Sequence, residues 1–295
     1  MKERRNGDAR PVVIVTGGSR GIGRATAEHL ASTGWRVFAT ARTTPADSTP
    51  PDPSGEAHQT GELTRLLADV RETDHLRRAV SYALTLTGGR LDAVIANAGI
   101  AAVGTFEDTP AEVMASLMET NYFGVLNTVR ETLPALRASH GRIVVISSDA
   151  AIYGTPGLSG YSASKFALEG WSESVAHELR PCGISLSIVR PGAFRTDIWQ
   201  SEIYLPDDGL RLRLAERVIA KWTSTAETAA DPKRVAATVE KVLTAKHPKL
   251  RYTVGRDARR AAVLRRTLPD NLFVRFVERG NKLRTTDLTT KSVDE

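Results

Sequence analysis

The sequence predicts an α/β fold with a doubly wound parallel sheet, in which helices cover both faces to give three layers, α/β/α. Two observations lead to this prediction. Short β-branched runs such as residues 12–15 and 142–146 alternate with segments of helical period, which is the rhythm of a parallel sheet with crossover helices. Gly17 and Ser148 follow such runs, at the strand ends where sheets of this kind bind ligands. We expect a single domain over residues 11–255, since 295 residues can bury a large core.

The first strand runs into a glycine-rich loop and then into a helix that we expect to begin near Arg24. The loop carries Gly17, Gly21 and Gly23 in the spacing G-x-x-x-G-x-G. Strand, glycine loop and helix in this order let backbone N–H groups approach a pyrophosphate at the N-terminus of the helix. Taken alone, a plain glycine-rich turn explains these residues equally well.

The second strand, residues 36–42, ends in Thr40, Ala41 and Arg42 without a carboxylate. A dinucleotide that lacks a 2′-phosphate needs an acidic group at this position to bind its ribose hydroxyls. The next segment, residues 43–62, is rich in proline and serine, and we expect neither helix nor strand in it.

Five further strands complete the predicted sheet, at residues 63–70, 91–96, 142–146, 184–189 and 251–254. Four residues lie at or just after their carboxyl ends, namely Asp69, Asn97, Ser148 and Pro191. A helix that begins near Thr109 runs past Asn121, a polar residue in a half-apolar pattern. Asn121 is either a solvent-facing or capping asparagine or a site residue, and its neighbours in the sequence do not decide between these.

Tyr161 and Lys165 lie four residues apart in a helix expected from residue 161 to about 180, so they share one helix face. A free tyrosine has a pKa of about 10, and it exchanges protons at neutral pH only when a positive charge lowers that pKa. Lys165 is placed to do this, while Ser148 can hydrogen-bond the oxygen atom that Tyr161 protonates. An exposed Tyr–Lys pair explains these two residues better in isolation, and the neighbouring motifs overturn that interpretation.

Two segments lie outside this alternation. Residues 197–230 are apolar and are expected to lack strands, which suits either a lid over a hydrophobic ligand or a packed surface helix. Residues 256–284 are expected to form a basic helical extension, and residues 246–284 hold twelve Lys or Arg against three acidic residues, a net charge of +9. A solvated helical face is the favoured interpretation of this charge, with an acidic membrane surface or a partner as the alternative. Disorder is expected at residues 1–10 and 285–295.

Composition excludes several classes of protein. Cys182 is the only cysteine, so the chain has no internal disulfide and suits a reducing compartment. No apolar run approaches the roughly 20 residues of a membrane span, and we expect a cytoplasmic protein. The six histidines show no metal-ligand spacing, and no nucleic-acid motif is present.

Together these motifs resemble the short-chain dehydrogenase/reductase family in its compact, non-extended branch, which has the Rossmann fold. The resemblance covers residues 12–196 closely, and its motifs occur in family order: Thr16-Gly17-x-x-x-Gly21-Ile22-Gly23, Asp69-Val70, Asn97-Ala98-Gly99, Asn121, Ser148, Tyr161-x-x-x-Lys165, and Pro191-Gly192 with Thr196.

The resemblance implies a role for each matched residue. Tyr161 would be the general acid or base, Ser148 would hold the substrate oxygen, and Lys165 would lower the tyrosine pKa and bind ribose hydroxyls. Asn121 would hold a water in a proton relay. The residues expected to line the dinucleotide, besides Tyr161 and Lys165, are Gly17, Ser19, Arg20, Gly21, Ile22, Gly23, Arg42, Asp69, Val70, Asn97, Ala98, Gly99, Pro191, Gly192 and Thr196.

These residues predict an NADP(H)-dependent oxidoreductase that interconverts a carbonyl and a secondary alcohol on a hydrophobic small molecule. Arg20 and Arg42 favour NADP(H), since guanidinium groups bind the 2′-phosphate. The family resemblance also implies a homodimer or homotetramer through helices at residues 109–133 and 161–179. One rival is an epimerase or dehydratase of the extended branch, which the glycine spacing and chain length disfavour. The other is a non-catalytic dinucleotide-binding regulator, which would be expected to lack Tyr161 or Lys165.

Overall fold

Within the residues that the structure describes, the central sheet has eight strands, seven of them parallel. The computed structural model describes residues 10–42, 58–60, 63–206 and 209–283. The strands are β1 (Val12–Thr16), β2 (Arg36–Ala41), β3 (His58–Thr60), β4 (Leu63–Leu67), β5 (Ala93–Ala96), β6 (Val103–Gly104), β7 (Arg142–Ile146), β8 (Ser185–Pro191), β9 (Ile203–Tyr204) and β10 (Arg251–Val254). Their order in the main sheet is β10-β8-β7-β5-β1-β2-β4-β3, while β6 and β9 form a separate parallel pair.

Helices cover both faces of this sheet, as the sequence predicts. They are α1 (Gly21–Ser32), α2 (Thr73–Leu86), α3 (Ala111–Met118), α4 (Gly124–Ser139), α5 (Ser159–Leu179), α6 (Gly209–Glu227), α7 (Lys233–Thr244), α8 (Arg256–Thr267) and α9 (Asp270–Gly280). One core cluster joins α1 and α7 to the sheet, and a second joins α2, α4 and α5 to its other face.

The strand β1 shows why the sheet is buried on both sides. Val13 and Val15 point into the cluster with α1 and α7, while Val12 and Ile14 point into the opposite cluster. Side chains alternate between faces along a strand, so an unbroken apolar run requires apolar partners on both faces. Each such side chain stabilises the fold by about 1.5 to 3 kcal/mol when fully buried. The doubly wound, three-layer prediction is confirmed.

Two expectations about irregular segments are wrong. Residues 58–60 form the edge strand β3, which pairs antiparallel with β4, although proline and serine nearby predicted no strand. Residues 43–57 and 61–62 lie outside the described residues. The segment 197–230 contains the short strand β9, which pairs with β6 although its own sequence shows little strand pattern. Hydrogen bonding to β6 satisfies the backbone groups of β9.

The C-terminal helices α8 and α9 pack against the rest of the protein. Phe273 on α9 is buried, and its ring meets that of Tyr153 edge-on at a centroid distance of 5.7 Å. Asp257 on α8 accepts a hydrogen bond from the Ala193 N–H, at 2.6 Å from its Oδ2. This basic segment is helical in the structure, and its contacts tie it to the loops after β7 and β8. Within the described residues, no helix is long and apolar enough to cross a membrane.

Candidate active site

A cavity of about 1420 Å³ opens along the carboxyl ends of the parallel strands. Every residue that the sequence predicted for the site lines this cavity except Asn121, which is fully buried behind it. Loops after β1, β5, β7 and β8 converge there, since the strands are parallel and their carboxyl ends share one edge.

Ser148 is held by the turn that follows β7. It caps a short 3₁₀ turn over Asp149–Ala151, and its Oγ accepts the Ala150 N–H at 3.2 Å. The same Oγ donates its proton to Asp149 Oδ1 at 3.0 Å. The Ser148 side chain therefore has a fixed position at the cavity wall.

Tyr161 and Lys165 share one face of α5, and both are buried. The Lys165 Nζ lies 5.7 Å from the centre of the Tyr161 ring and donates to the Ile146 carbonyl oxygen at 3.1 Å. This bond ties the lysine to the last residue of β7, just before the segment that carries Ser148. The predicted trio is brought together at one end of the cavity.

Burial dominates the electrostatics of this trio. It raises the pKa of Tyr161 to about 12, and the hydrogen bond of Ser148 opposes that rise while the charge of Asp149 adds to it. Burial also lowers the pKa of Lys165 to about 8, against the charge of Glu169. The pKa of Tyr161 is therefore raised here, where the sequence predicted a lowered value, because desolvation of the phenolate outweighs the other influences.

An ion-pair network stands behind Lys165. Glu169, one helical turn further along α5, binds Arg190 of β8 through two bonds of 2.6 Å and Arg251 of β10 at 3.1 Å. Arg251 also binds Glu173 at 2.6 Å. Glu169 is buried, so the network fixes α5 to the edge of the sheet, and with it the position of Lys165.

Asn121 lies in a π-helical turn, Glu119–Phe123, between α3 and α4. Its side-chain oxygen accepts the Ile100 N–H at 2.8 Å, and its amide nitrogen donates to the Ile100 oxygen at 2.9 Å and to Ser164 Oγ at 3.0 Å. It is neither solvent-facing nor a cap. A Cβ placed on Gly99 would lie 3.2 Å from Asn121 Oδ1 and 3.7 Å from Lys165 Nζ, so Asn121 adjoins the lysine. Its role in a water relay stays a prediction.

The glycine loop has the shape of a cradle. Gly17 and Gly21 have φ angles of 66° and 56°, which favour glycine, and a Cβ on Gly23 would lie 2.1 Å from the Gly17 oxygen. Asn97 holds this shape, since its side-chain amide donates to the oxygens of Thr16 at 2.9 Å and Gly17 at 3.2 Å. The Asn97 side chain is thus engaged with the backbone of the loop.

Arginines line the cavity where β2 and β4 end. Arg20 and Arg42 lie there, and so does Arg71, which the sequence analysis missed. Arg71 binds Asp69 at 2.7 Å. Burial pushes the pKa of Asp69 upward, but the hydrogen bonds and charge of Arg71, together with the charge of Arg42, lower it overall. Arg71 could have been found in the sequence from its position two residues after Asp69, which itself lies near the end of a predicted strand.

The end of the cavity that holds the trio is walled in part by apolar and aromatic side chains. Trp199 and Trp222 pack at 4.4 Å between ring centres, and each indole N–H donates to a backbone oxygen, of Phe194 at 2.7 Å and of Trp199 at 3.2 Å. Further residues that line the cavity and that the sequence did not point to are the charged Asp149, Asp257 and Arg260 and the aromatic Tyr153, Phe273 and Phe276. The apolar side of α9 was visible in the sequence, but nothing there indicated which surface it would contact. Among the described residues, no cluster of His, Cys, Asp or Glu could hold a metal ion.

Comparison with known proteins identifies the family to which the chain belongs. The family model for short chain dehydrogenases matches residues 11–203. A 3-ketodihydrosphingosine reductase from Bacteroides thetaiotaomicron is 32% identical over 255 residues, which is 83% of this chain and 87% of that protein. A short-chain dehydrogenase structure from Streptomyces avermitilis is 31% identical with a TM-score of 0.74, and the match covers 94% of this chain and 98% of that one.

Two more distant structures share the fold and hold different dinucleotides. A short-chain dehydrogenase from Burkholderia cenocepacia is in complex with NADP, at 23% identity, a TM-score of 0.66 and coverage of 90% of this chain and 97% of that one. One from Burkholderia phymatum is in complex with NAD, at 19% identity, a TM-score of 0.72 and coverage of 97% and 98%. The chain belongs to the short-chain dehydrogenase/reductase family of oxidoreductases.

Proposed function

We propose that this protein is an NADP(H)-dependent oxidoreductase that interconverts a carbonyl and a secondary alcohol on an apolar small molecule, with Tyr161 as the general acid or base. One observation carries the proposal. The buried trio of Ser148, Tyr161 and Lys165 lies in the same cavity as the glycine cradle and an apolar wall.

The proposed chemistry divides the work between cofactor and protein. A bound dinucleotide would supply the hydride. Ser148 and Tyr161 would hold the substrate oxygen, and Tyr161 would give it a proton during reduction. Because the pKa of Tyr161 is raised to about 12, its phenol keeps its proton at neutral pH, which suits the acid role in carbonyl reduction. Oxidation of the alcohol would need the ammonium of Lys165 to stabilise the phenolate, and that charge is lost as the pH rises through about 8.

Several features of the cavity fit a dinucleotide. The positive φ angles of Gly17 and Gly21 leave a backbone cradle without side chains, next to the N-terminus of α1. The hydroxyls of Thr120 and Ser147 are buried in residues that line the cavity, and they find no partner among the residues described. A bound polar molecule would satisfy such groups.

The preference for NADP(H) is proposed from the charges at the adenosine end. Arg20, Arg42 and Arg71 line that end, and the second strand supplies no carboxylate. Arg71 binds Asp69 and Arg42 acts on the same carboxylate, so two guanidinium groups face one carboxylate and positive charge remains for a phosphate. Each hydrogen bond to a charged group contributes about 1.5 to 3 kcal/mol before any discount for solvent.

The substrate is proposed to be an apolar carbonyl compound. Trp199, Trp222, Phe273 and Phe276 form its side of the cavity. Residues 197–230 are proposed as a lid, since α6 and the turn at Asp197–Gln200 both contribute to this wall. Because one relative is a 3-ketodihydrosphingosine reductase, 3-ketodihydrosphingosine belongs in the first set of test compounds.

The experiment that tests this function mixes the protein with NADPH and a panel of ketones and aldehydes of increasing apolar length. Loss of the nicotinamide absorbance should occur with at least one compound and should not occur with Tyr161→Phe. Binding of NADPH without turnover of any compound would instead support a dinucleotide-binding regulator. The same panel would identify the substrate class.

We also propose a homodimer or homotetramer. Phe123, the last residue of the π-helical turn before α4, is 46% exposed, and Phe166, on α5, is 45% exposed. Two large exposed apolar side chains near the helices of the expected interface suit contact with another copy. Light scattering at micromolar concentration should give at least twice the mass of one chain, and a monomer would refute the proposal.

A further inference from the structure

A carboxyl group follows the serine of the trio directly. Asp149 is half-buried and lines the same cavity as Ser148 and Tyr161. The Ser148 hydroxyl donates to Asp149 Oδ1 at 3.0 Å and accepts the Ala150 N–H at 3.2 Å. Neither the family comparison nor the proposed function uses this carboxyl group.

The single proton of the Ser148 hydroxyl limits the groups to which this serine can donate a hydrogen bond. A serine hydroxyl has one proton, and a substrate carbonyl oxygen can only accept. While Ser148 donates its proton to ionised Asp149, it has none for the carbonyl oxygen. When Asp149 carries a proton, it becomes a donor to Ser148, and the serine proton is released toward the Tyr161 oxygen and the substrate side of the cavity.

We propose that Asp149 is a positioning residue that sets the direction of the Ser148 hydroxyl, so that the site holds a carbonyl oxygen best when Asp149 is protonated. This inference rests on the proposed carbonyl reduction. Ionised Asp149 would favour the opposite reaction, oxidation of the alcohol. Ser148 then presents a lone pair that can accept a hydrogen bond from the hydroxyl of the substrate.

The surroundings of Asp149 place its titration near neutral pH. Burial, and after it the charge of Asp257 on α8, raise the pKa of Asp149 to about 6, although the hydrogen bond from Ser148 opposes the rise. The other titratable groups that act in this cluster are Tyr153, after the 3₁₀ turn, and Tyr161 on α5, and the charge of Asp149 raises the pKa of each.

The first test measures the hydrogen bond without turnover or cofactor. The protein is labelled with ¹³C at aspartate carboxyl groups, the Asp149 resonance is assigned by its loss in Asp149→Asn, and its chemical shift is followed with pH. Ser148→Ala should raise the pKa of Asp149, because it removes a donor to the carboxylate. Glu112→Gln removes another carboxylate that lines the cavity and should leave the Asp149 titration unchanged. An Asp149 titration that does not respond to Ser148→Ala would overturn the proposal.

The second test uses a ketone from the panel. In the unmodified protein, kcat/KM for reduction should rise by about tenfold, the value of one hydrogen bond to a substrate, as the pH falls through about 6. Asp149→Asn can donate to Ser148 at any pH, so its profile should be flat over this range and should match the low-pH value. In a Ser148→Ala background, Asp149→Asn should change nothing further.

The outcomes separate this proposal from the proposed function. An unchanged pH profile in Asp149→Asn, together with turnover, would refute the positioning role and leave the reductase intact. If no compound on the panel is reduced, the proposed function fails, and the carboxyl titration alone then decides whether Ser148 and Asp149 are coupled.

Discussion

The two ends of the cavity differ in how tightly the backbone fixes them. At the proposed cofactor end, Gly17, Gly21 and Gly23 are required by positive φ angles or by close contact between backbone atoms, and Asn97 bonds directly to that backbone. At the proposed substrate end, the wall includes aromatic side chains from segments far apart in the sequence, such as Tyr153 and Phe273. Backbone constraints demand particular residues, whereas an apolar wall accepts many. The difference predicts that substitutions at the two ends will separate cofactor binding from substrate binding.

The largest expected effect at the cofactor end is a change of dinucleotide. Arg42→Asp should remove a charge-assisted contact to the 2′-phosphate and offer the ribose an acceptor. We expect the ratio of kcat/KM for NADPH to that for NADH to fall by roughly tenfold to a thousandfold. Arg78→Asp, the same substitution on an exposed face of α2 away from the cavity, is the control and should leave the ratio unchanged. Equal use of both cofactors by the unmodified protein would contradict the assignment.

The next effect concerns the cradle itself. In Gly23→Ala the new Cβ would lie 2.1 Å from the Gly17 oxygen, so the loop must shift. Overpacking of this kind costs about 1 to 3 kcal/mol, and NADPH affinity measured by fluorescence or calorimetry should fall by roughly tenfold to a hundredfold. Gly170→Ala on α5 meets no atom within 4 Å and serves as the matched control. Undiminished affinity in Gly23→Ala would show that the loop is not the pyrophosphate site.

A smaller effect is expected at the substrate end. Phe276 lines the cavity and is 42% exposed, so Phe276→Ala should remove about 1 kcal/mol of apolar contact with substrate. The KM of an apolar ketone should rise about fivefold, with the affinity for NADPH unchanged. Val274→Ala, on the same helix but outside the cavity wall, should change neither. A loss of NADPH affinity in Phe276→Ala would show that substitutions at the two ends do not separate cofactor binding from substrate binding.

The sequence predicted the sheet and its covering helices because both depend on local pattern, whereas the binding of a dinucleotide by the glycine loop stays a prediction. It did not predict β3, because the residues of β3 show no strand pattern and the strand is recognised only by its pairing with β4. It also did not assign α9 to the cavity, because the apolar side of a helix does not indicate its partner. The pKa of Tyr161 was predicted in the wrong direction, since the cationic neighbour was visible in the sequence while the depth of burial was not.

The most direct test of the account is the comparison of turnover and cofactor binding in Tyr161→Phe. This substitution removes only the phenolic oxygen from a buried ring, so the packing of α5 should be kept. Affinity for NADPH should remain close to that of the unmodified protein, while the rate of carbonyl reduction should fall by about a hundredfold or more, the usual scale for loss of a general acid. A variant that retains most of the turnover would show that Tyr161 is not the proton donor, and the central claim would then be wrong.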